Sequence, residues 1–177
     1  SAQVKANAAT YKKQVSKILS FTGKNLAKFR FNSRWLKKLS ADRLISMSEY
    51  FTVDQMLQRD MFQERRKNDQ PIGLSEFLYP VLVAIDCVEM DVDVEVGGSD
   101  QLFNILIGRS LMQAVKQKSK VAFTCKLLEG TDGRKMSKSY HNVIGVTDEP
   151  NDMYGKVMSL NDNLIVQYFV LATDMPM

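Results

Sequence analysis

Between Ser75 and Leu127 the chain switches repeatedly between two unlike periods, and no other feature constrains its fold as tightly. Glu76 to Met90 is an apolar run of helical length, interrupted by Pro80 and capped by Ser75. Val92 to Val96 then alternates acid with valine, the period-two pattern of a strand. Asp100 caps a second helical stretch from Gln101 to about Lys116, and Val121 to Leu127 forms a second strand. Strands separated by a crossover helix pair in parallel, so this order predicts an α/β layered domain.

The flanks are more helical. Ala2 to Leu19 carries Val4, Ala8, Tyr11, Val15, Ile18 and Leu19 at the spacing of one helix face. Lys24 to Phe31 alternates and predicts a short strand. Asn32 or Ser33 is expected to cap a short helix over Trp35, Leu36 and Leu39, and Ser40 or Asp42 to start another. Thr52 precedes a stripe of Met56, Leu57, Met61 and Phe62, which closes on the basic residues Arg65, Arg66 and Lys67. Pro71 and Gly73 mark a loop. Val143 to Val146 is a further short strand. Helices follow from Asp148, Glu149 and Pro150, and from Asn161 or Asp162 through Ala172.

Composition excludes several classes. With 45% hydrophobic and 25% charged residues, the chain is an ordinary globular sequence rather than a disordered or membrane-spanning one. The net charge of +4 suits a polyanionic partner and equally a lysine-rich solvated surface. Cys87 and Cys125 both lie in apolar runs without metal spacing, and are expected as small buried hydrophobes. A single histidine, His141, cannot build a zinc site of the usual kind. The start at Ser1 in mid-pattern suggests a piece of a longer protein.

The residues that bear chemistry fall into three groups. Lys135-Met136-Ser137-Lys138-Ser139 places two ammonium groups three residues apart, with small hydroxyls, on a glycine-bearing turn. That suits neutralisation of a polyphosphate as it leaves. Val96-Gly97-Gly98-Ser99-Asp100-Gln101 ends a strand and opens a helix, where an open α/β sheet holds a nucleotide. The same string also suits a plain tight turn with Asp100 as N-cap. Tyr79 and Asp86 lie seven residues apart on the apolar helix, so both can face a pocket for an amine or hydroxyl. An exposed phenol and an Asp near the helix end explain them as well. Arg34, Lys37, Lys38, Arg59, Arg65 and Arg66 are expected as solvated faces, and Met47, Met56, Met61, Met90 and Met112 as core filler.

The lysine string matches in full the signature of the class I aminoacyl-tRNA synthetases. Together with Glu76-Phe77-Leu78-Tyr79-Pro80, Asn32-Ser33-Arg34-Trp35-Leu36, Gly98-Ser99-Asp100-Gln101-Leu102-Phe103-Asn104 and Asn142-Val143-Ile144-Gly145, it resembles the tyrosyl-tRNA synthetases of bacterial type. The likeness runs over essentially the whole chain in the family's order.

The resemblance implies activation of tyrosine by ATP and its transfer to tRNA(Tyr). Lys135 and Lys138 would be catalytic, stabilising charge on the departing pyrophosphate. Gly97, Gly98, Asp100, Met136, Ser137, Lys138 and Ser139 would bind ATP or the adenylate, and Tyr79, Asp86 and Gln101 the tyrosine. It further implies Mg2+ travelling with the pyrophosphate, no protein-bound metal, a cytoplasmic homodimer and no membrane. The implied fold is a partial Rossmann-like layer with parallel strands and a helical insertion. Its parts are the end of the first nucleotide-binding half (1–34), a helical insertion and dimer-interface region (35–73), the second half with the lysine loop (74–147) and a helical segment (148–177). Met56, Leu57, Met61, Phe62 and Leu74 are the interface candidates.

Two departures stand out. The family's histidine signature is absent, as is the anticodon-binding module, so the chain resembles the second half of a catalytic domain. Val83 occupies the position where the family usually has a glutamine. A synthetase for another aromatic amino acid, tryptophan foremost, or a non-catalytic descendant are the competing readings.

Overall fold

The computed structural model describes residues 2–176, apart from the side chains of residues 2–5 and of Lys138. It divides into two compact units, Ser1–Arg30 with Leu127–Met177, and Phe31–Lys126.

The unit Phe31–Lys126 contains α2 (Ser33–Leu36), α3 (Ala41–Ser48), α4 (Val53–Leu57), α5 (Asp60–Lys67), α6 (Leu74–Met90), β1 (Val94–Gly98), α7 (Leu102–Lys116) and β2 (Val121–Cys125). β1 and β2 pair in parallel, with Val94 opposite Val121 and Gly98 opposite Cys125, and α7 is the crossover between them. This is the layered arrangement that the alternating periods predict. The core forms where α6 packs on α7: Val81, Ala84, Ile85 and Val88 meet Ile107, Leu111 and Met112, with Met56 joining from α4. Each of the larger buried side chains contributes about 1.5–3 kcal/mol. The opposite sheet face carries Val94, Val96, Val121 and Phe123, all exposed.

Local signals set most boundaries. Ser40 caps α3 by accepting from Arg43 N, and Thr52 with Gln55 forms a reciprocal capping box on α4. The stripe of Met56, Leu57, Met61 and Phe62 falls on two helices, because Arg59 is extended between them. Met56 and Phe62 are buried in their own unit, which removes them from any subunit surface; Met61 and Leu74 are exposed. Pro80 is accommodated inside α6. Met90 is exposed although the pattern placed it in the core.

Several expectations are corrected. α6 is capped at Gly73 rather than Ser75 and starts at Leu74, because Glu76 reaches back to accept from Gly73 N at 3.0 Å. Asn32 is helical in backbone and caps nothing, since its side chain is drawn to Asp86. Asp100 lies within a 3-10 turn, Ser99–Gln101, that precedes α7. β1 starts at Val94, because Asp91 closes α6 in the left-handed region (φ 53°) and Lys116 and Lys118 anchor its carboxylate. Cys125 is exposed, at the end of the sheet.

The other unit contains α1 (Ala2–Val15), α8 (Pro150–Met158) and α9 (Ile165–Ala172). Neither Lys24 to Phe31 nor Val143 to Val146 forms a strand. Alternation alone does not make a strand without a neighbouring backbone to pair with. Instead Ala27 N bonds locally to Ser20 O, and Gly145 N to the Asp148 carboxylate.

Candidate functional site

The diglycine segment closes β1 against the start of α7. A Cβ at Gly97 would lie 3.1 Å from Ile105 Cδ1 and 3.4 Å from Gln101 Cβ, so the strand end and helix start approach closely at a residue without a side chain. Gln101 Oε1 accepts from Asn104 Nδ2 at 2.9 Å. Asn104 is 5% exposed, and its Oδ1 is a buried acceptor without a partner among the described residues. A buried acceptor of this kind costs about 1–3 kcal/mol unless a donor arrives. Beside Gln101, that donor can come from a ligand or an ordered water. Asn104 closes the Gly98–Asn104 motif, but nothing in the sequence signals its buried, unpartnered acceptor.

On α6, Asp86 is held by two donors, Trp35 Nε1 at 2.7 Å and Asn32 Nδ2 at 3.1 Å. An ionised carboxylate has more acceptor sites than these two bonds use, so Asp86 keeps capacity for a ligand hydroxyl or amine. Tyr79 is 55% exposed and borders a cavity of about 430 Å³ with Arg59, Met61, Ser75 and Glu76; Asp86 is not among its walls. Two charged groups of this region turn out to be tied down rather than freely solvated. Arg65 grips Glu76 through both carboxylate oxygens at 2.8 and 2.9 Å, and Arg59 lies over the rings of Phe62 and Phe103. The Arg65 hydrogen bond, then that from Gly73 N, lowers the Glu76 pKa. Val83 is half-buried, and its carbonyl accepts from Cys87 Sγ at 3.4 Å.

Beneath α7 lies a buried polar cluster that the sequence did not announce. Lys120, 1% exposed, donates to Glu95 Oε2 and, at 3.0 Å, to Cys87 Sγ. Gly108 makes room for it: a Cβ there would fall 2.6 Å from Lys120 Nζ and 2.7 Å from Cys87 Sγ. Burial pushes the Cys87 thiol up to about 11, against the opposing pull of Lys120.

In the other unit, Leu128 to Gly145 folds into a short hairpin. Glu129 and Lys135 form an antiparallel bridge, Gly130 N bonds Arg134 O at 2.7 Å, and Gly133 turns the chain at φ +76°. Asn142 is the fastener. It is 2% exposed, accepts from Ser137 N at 2.8 Å, and donates to Asp132 Oδ1 at 2.7 Å and to Lys135 O at 3.3 Å. A Cβ at Gly130 would overlap Asn142 at 2.3 Å, which is why glycine stands there. Asp132 bonds Asn142, the Arg134 backbone and the Arg134 side chain, in that order of effect, which brings its pKa down to about 2.

Lys135, Ser139 and Tyr140 are exposed on this hairpin, and Ser137 Oγ accepts from Ser139 N at 3.3 Å. The Lys138 side chain lies outside the described residues. Met136 joins the wall of an apolar cavity of about 670 Å³ with Leu128, Ile144, Val157, Ile165 and Phe169. The result is a rigidly fastened turn that presents cation and hydroxyls outward and anchors its methionine inward, an arrangement suited to an oxyanion. Among the described residues no group of three or more His, Cys, Asp or Glu is placed to hold a metal ion, and no helix is long and apolar enough to cross a membrane.

A family model described as tRNA synthetases class I (W and Y) matches residues 1–177. The chain belongs to that family. As a class I synthetase chain, it is 48% identical over 172 residues to tyrosine–tRNA ligase 2 of Vibrio cholerae, covering 97% of itself and 43% of that relative. Against the tyrosine–tRNA ligase of Thermotoga maritima the identity is 45% over 175 residues, with 98% and 43% covered. The chain thus spans less than half the length of the curated relatives it matches. Among solved structures, the tyrosyl-tRNA synthetase of Archaeoglobus fulgidus, complexed with L-tyrosine, is 29% identical with a TM-score of 0.67 over 94% of this chain and 54% of that one. The parallel β1–α7–β2 layer accordingly belongs to a Rossmann-like fold.

Proposed function

We propose that this chain is part of a tyrosine–tRNA ligase, which activates tyrosine with ATP and passes it to tRNA(Tyr). The observation that carries the reading is the Asp86 carboxylate, fixed by Trp35 and Asn32 on an apolar helix, in a chain 45–48% identical to tyrosine–tRNA ligases. A carboxylate held this way selects a phenol over a bare phenyl ring, because a substrate lacking the hydroxyl leaves it under-bonded.

Each segment then has a task. Asp86, with Tyr79 and Gln101, binds tyrosine, and the orphaned Asn104 Oδ1 beside Gln101 adds an acceptor. Gly97 and Gly98 let backbone approach the adenylate, and Asp100 accepts from its ribose hydroxyls. The tyrosine carboxylate attacks the α-phosphorus of ATP and pyrophosphate leaves. Lys135 and Lys138 neutralise the charge that develops on it, aided by Met136, Ser137 and Ser139 of the same hairpin. No covalent enzyme intermediate is needed; the chemistry is positioning and electrostatics. Mg2+ enters as a companion of the ATP phosphates. Val83 offers no hydrogen bond to the substrate ammonium, so that contact needs another acceptor, and Tyr79, Gln101 and Asn104 Oδ1 are the candidates. A homodimer built through residues 35–73 and the adjoining Leu74, with exposed Met61 and Leu74 in its interface, and a cytoplasmic location complete the proposal.

The test is calorimetric titration of the chain with tyrosine and with phenylalanine. Tyrosine should bind at least tenfold more tightly, and Asp86→Asn should erase the difference. Equal affinity for both amino acids rejects the reading.

A further inference from the structure

The charge of this chain is distributed very unevenly. Its first 41 residues contain ten lysines and arginines and no acidic residue, so the remainder is net acidic although the whole is +4. Six of those cations, Lys12, Lys13, Lys17, Lys24, Lys28 and Arg30, belong to one compact unit, and none makes an ion pair among the described residues. Lys13 lies near the end of α1 and Lys17 in the turn that follows, so like charges gather there with no acidic residue in the same stretch of sequence. The segment is nonetheless ordered locally. The bond from Ala27 N to Ser20 O at 2.7 Å closes a loop, the rings of Phe21 and Phe29 stack at 5.2 Å, and Lys12 Nζ lies 5.5 Å from the Phe21 centroid. Tyr11 and Phe29 are exposed beside these cations.

We propose that α1 and the loop to Arg30 form an RNA-docking surface, in which the lysines contact phosphates and the exposed aromatic edges lie against ribose or unstacked bases. The choice of RNA among polyanions rests on the ligase reading above. An anionic membrane fits less well, because α1 is polar on average and has no broad apolar face; the apolar residues in its sequence are mostly alanine. An acidic protein would answer the charge but not the clustering of aromatic rings with cations, which suits stacking on RNA.

The experiment is fluorescence anisotropy of this chain with a labelled tRNA transcript over a salt series, with duplex DNA and phosphatidylserine vesicles as parallel probes. The variants are Lys12→Gln/Lys17→Gln/Lys24→Gln/Lys28→Gln and the corresponding four Lys→Arg changes. The glutamine variant should lose about 100-fold in affinity at low salt, and its log–log salt slope should be shallower by about 3. The arginine variant should bind like the parent, which separates charge from folding. Unchanged tRNA binding by the glutamine variant overturns the proposal, as does equal affinity for vesicles or duplex DNA. Calorimetry with tyrosine separates the two readings: absent tyrosine binding with tRNA binding retained sinks the ligase assignment alone.

Discussion

Trp35 Nε1 donates a 2.7 Å hydrogen bond to the Asp86 carboxylate across 51 residues of sequence. The bond ties α2, a single helical turn, to the C-terminal part of the apolar α6. Trp35→Phe keeps the ring and removes the donor. It should cost about 1.5–3 kcal/mol in urea unfolding, since hydrogen bonds to charged groups are worth that much. It should also weaken tyrosine more than phenylalanine in calorimetry, because Asp86 loses its orientation.

Asn142 fastens the lysine hairpin through both ends of its amide. Asn142→Ala leaves Ser137 N and the Asp132 carboxylate without that partner. Amide exchange of Ser137 should accelerate at least tenfold while exchange in α6 and α7 stays unchanged. Gly130→Ala should act in the same direction, by pressing a methyl group onto Asn142.

Asp132, held near 2 against an ordinary 3.8, makes stability depend on acid. Its pKa is depressed on folding, so its contribution is fully present above about pH 4 and is lost as pH falls towards 2. Asp148, lowered chiefly by Lys156, and Glu76, lowered chiefly by Arg65, act with the same sign. Thermal midpoints should be flat from pH 7 to about 5 and fall steeply below 4. Asp132→Asn should flatten part of that fall.

Lys120→Met removes an ammonium from a fully buried position and strands Glu95, which is partly exposed and can relax to water. The loss should be about 3 kcal/mol, at the lower end for a broken buried pair. Replacing both partners, Lys120→Met with Glu95→Leu, should recover most of it. In thiol labelling at pH 8, exposed Cys125 should react within minutes, and Cys87 only after denaturation, because its thiol is buried with a pKa raised to about 11.

The bare sheet face of Val94, Val96, Val121 and Phe123 should drive self-association. Sedimentation velocity should show a mass that grows with concentration, and Val96→Lys with Phe123→Lys should return the chain to monomer. A monomer at all concentrations in the parent chain contradicts this.

Periodicity and short motifs were enough for the helices around the core, for the β1–α7–β2 order and for the lysine hairpin, because backbone sterics, capping and turn chemistry act within a few residues. Ser40, Thr52 and Gly133 do what their types dictate wherever they occur. Asn32, Asn142 and Lys120 do not: each is polar, and its type alone names no distant partner. Asn32 left its cap for Asp86, Asn142 became the buried fastener of a loop, and Lys120 was drawn under Gly108 to reach Glu95. Lys24 to Phe31 alternates like a strand but found no ladder to join. Which distant partner a polar side chain meets, and whether an alternating segment is paired, depends on long-range burial that removes water as a competitor. Only the folded chain decides that.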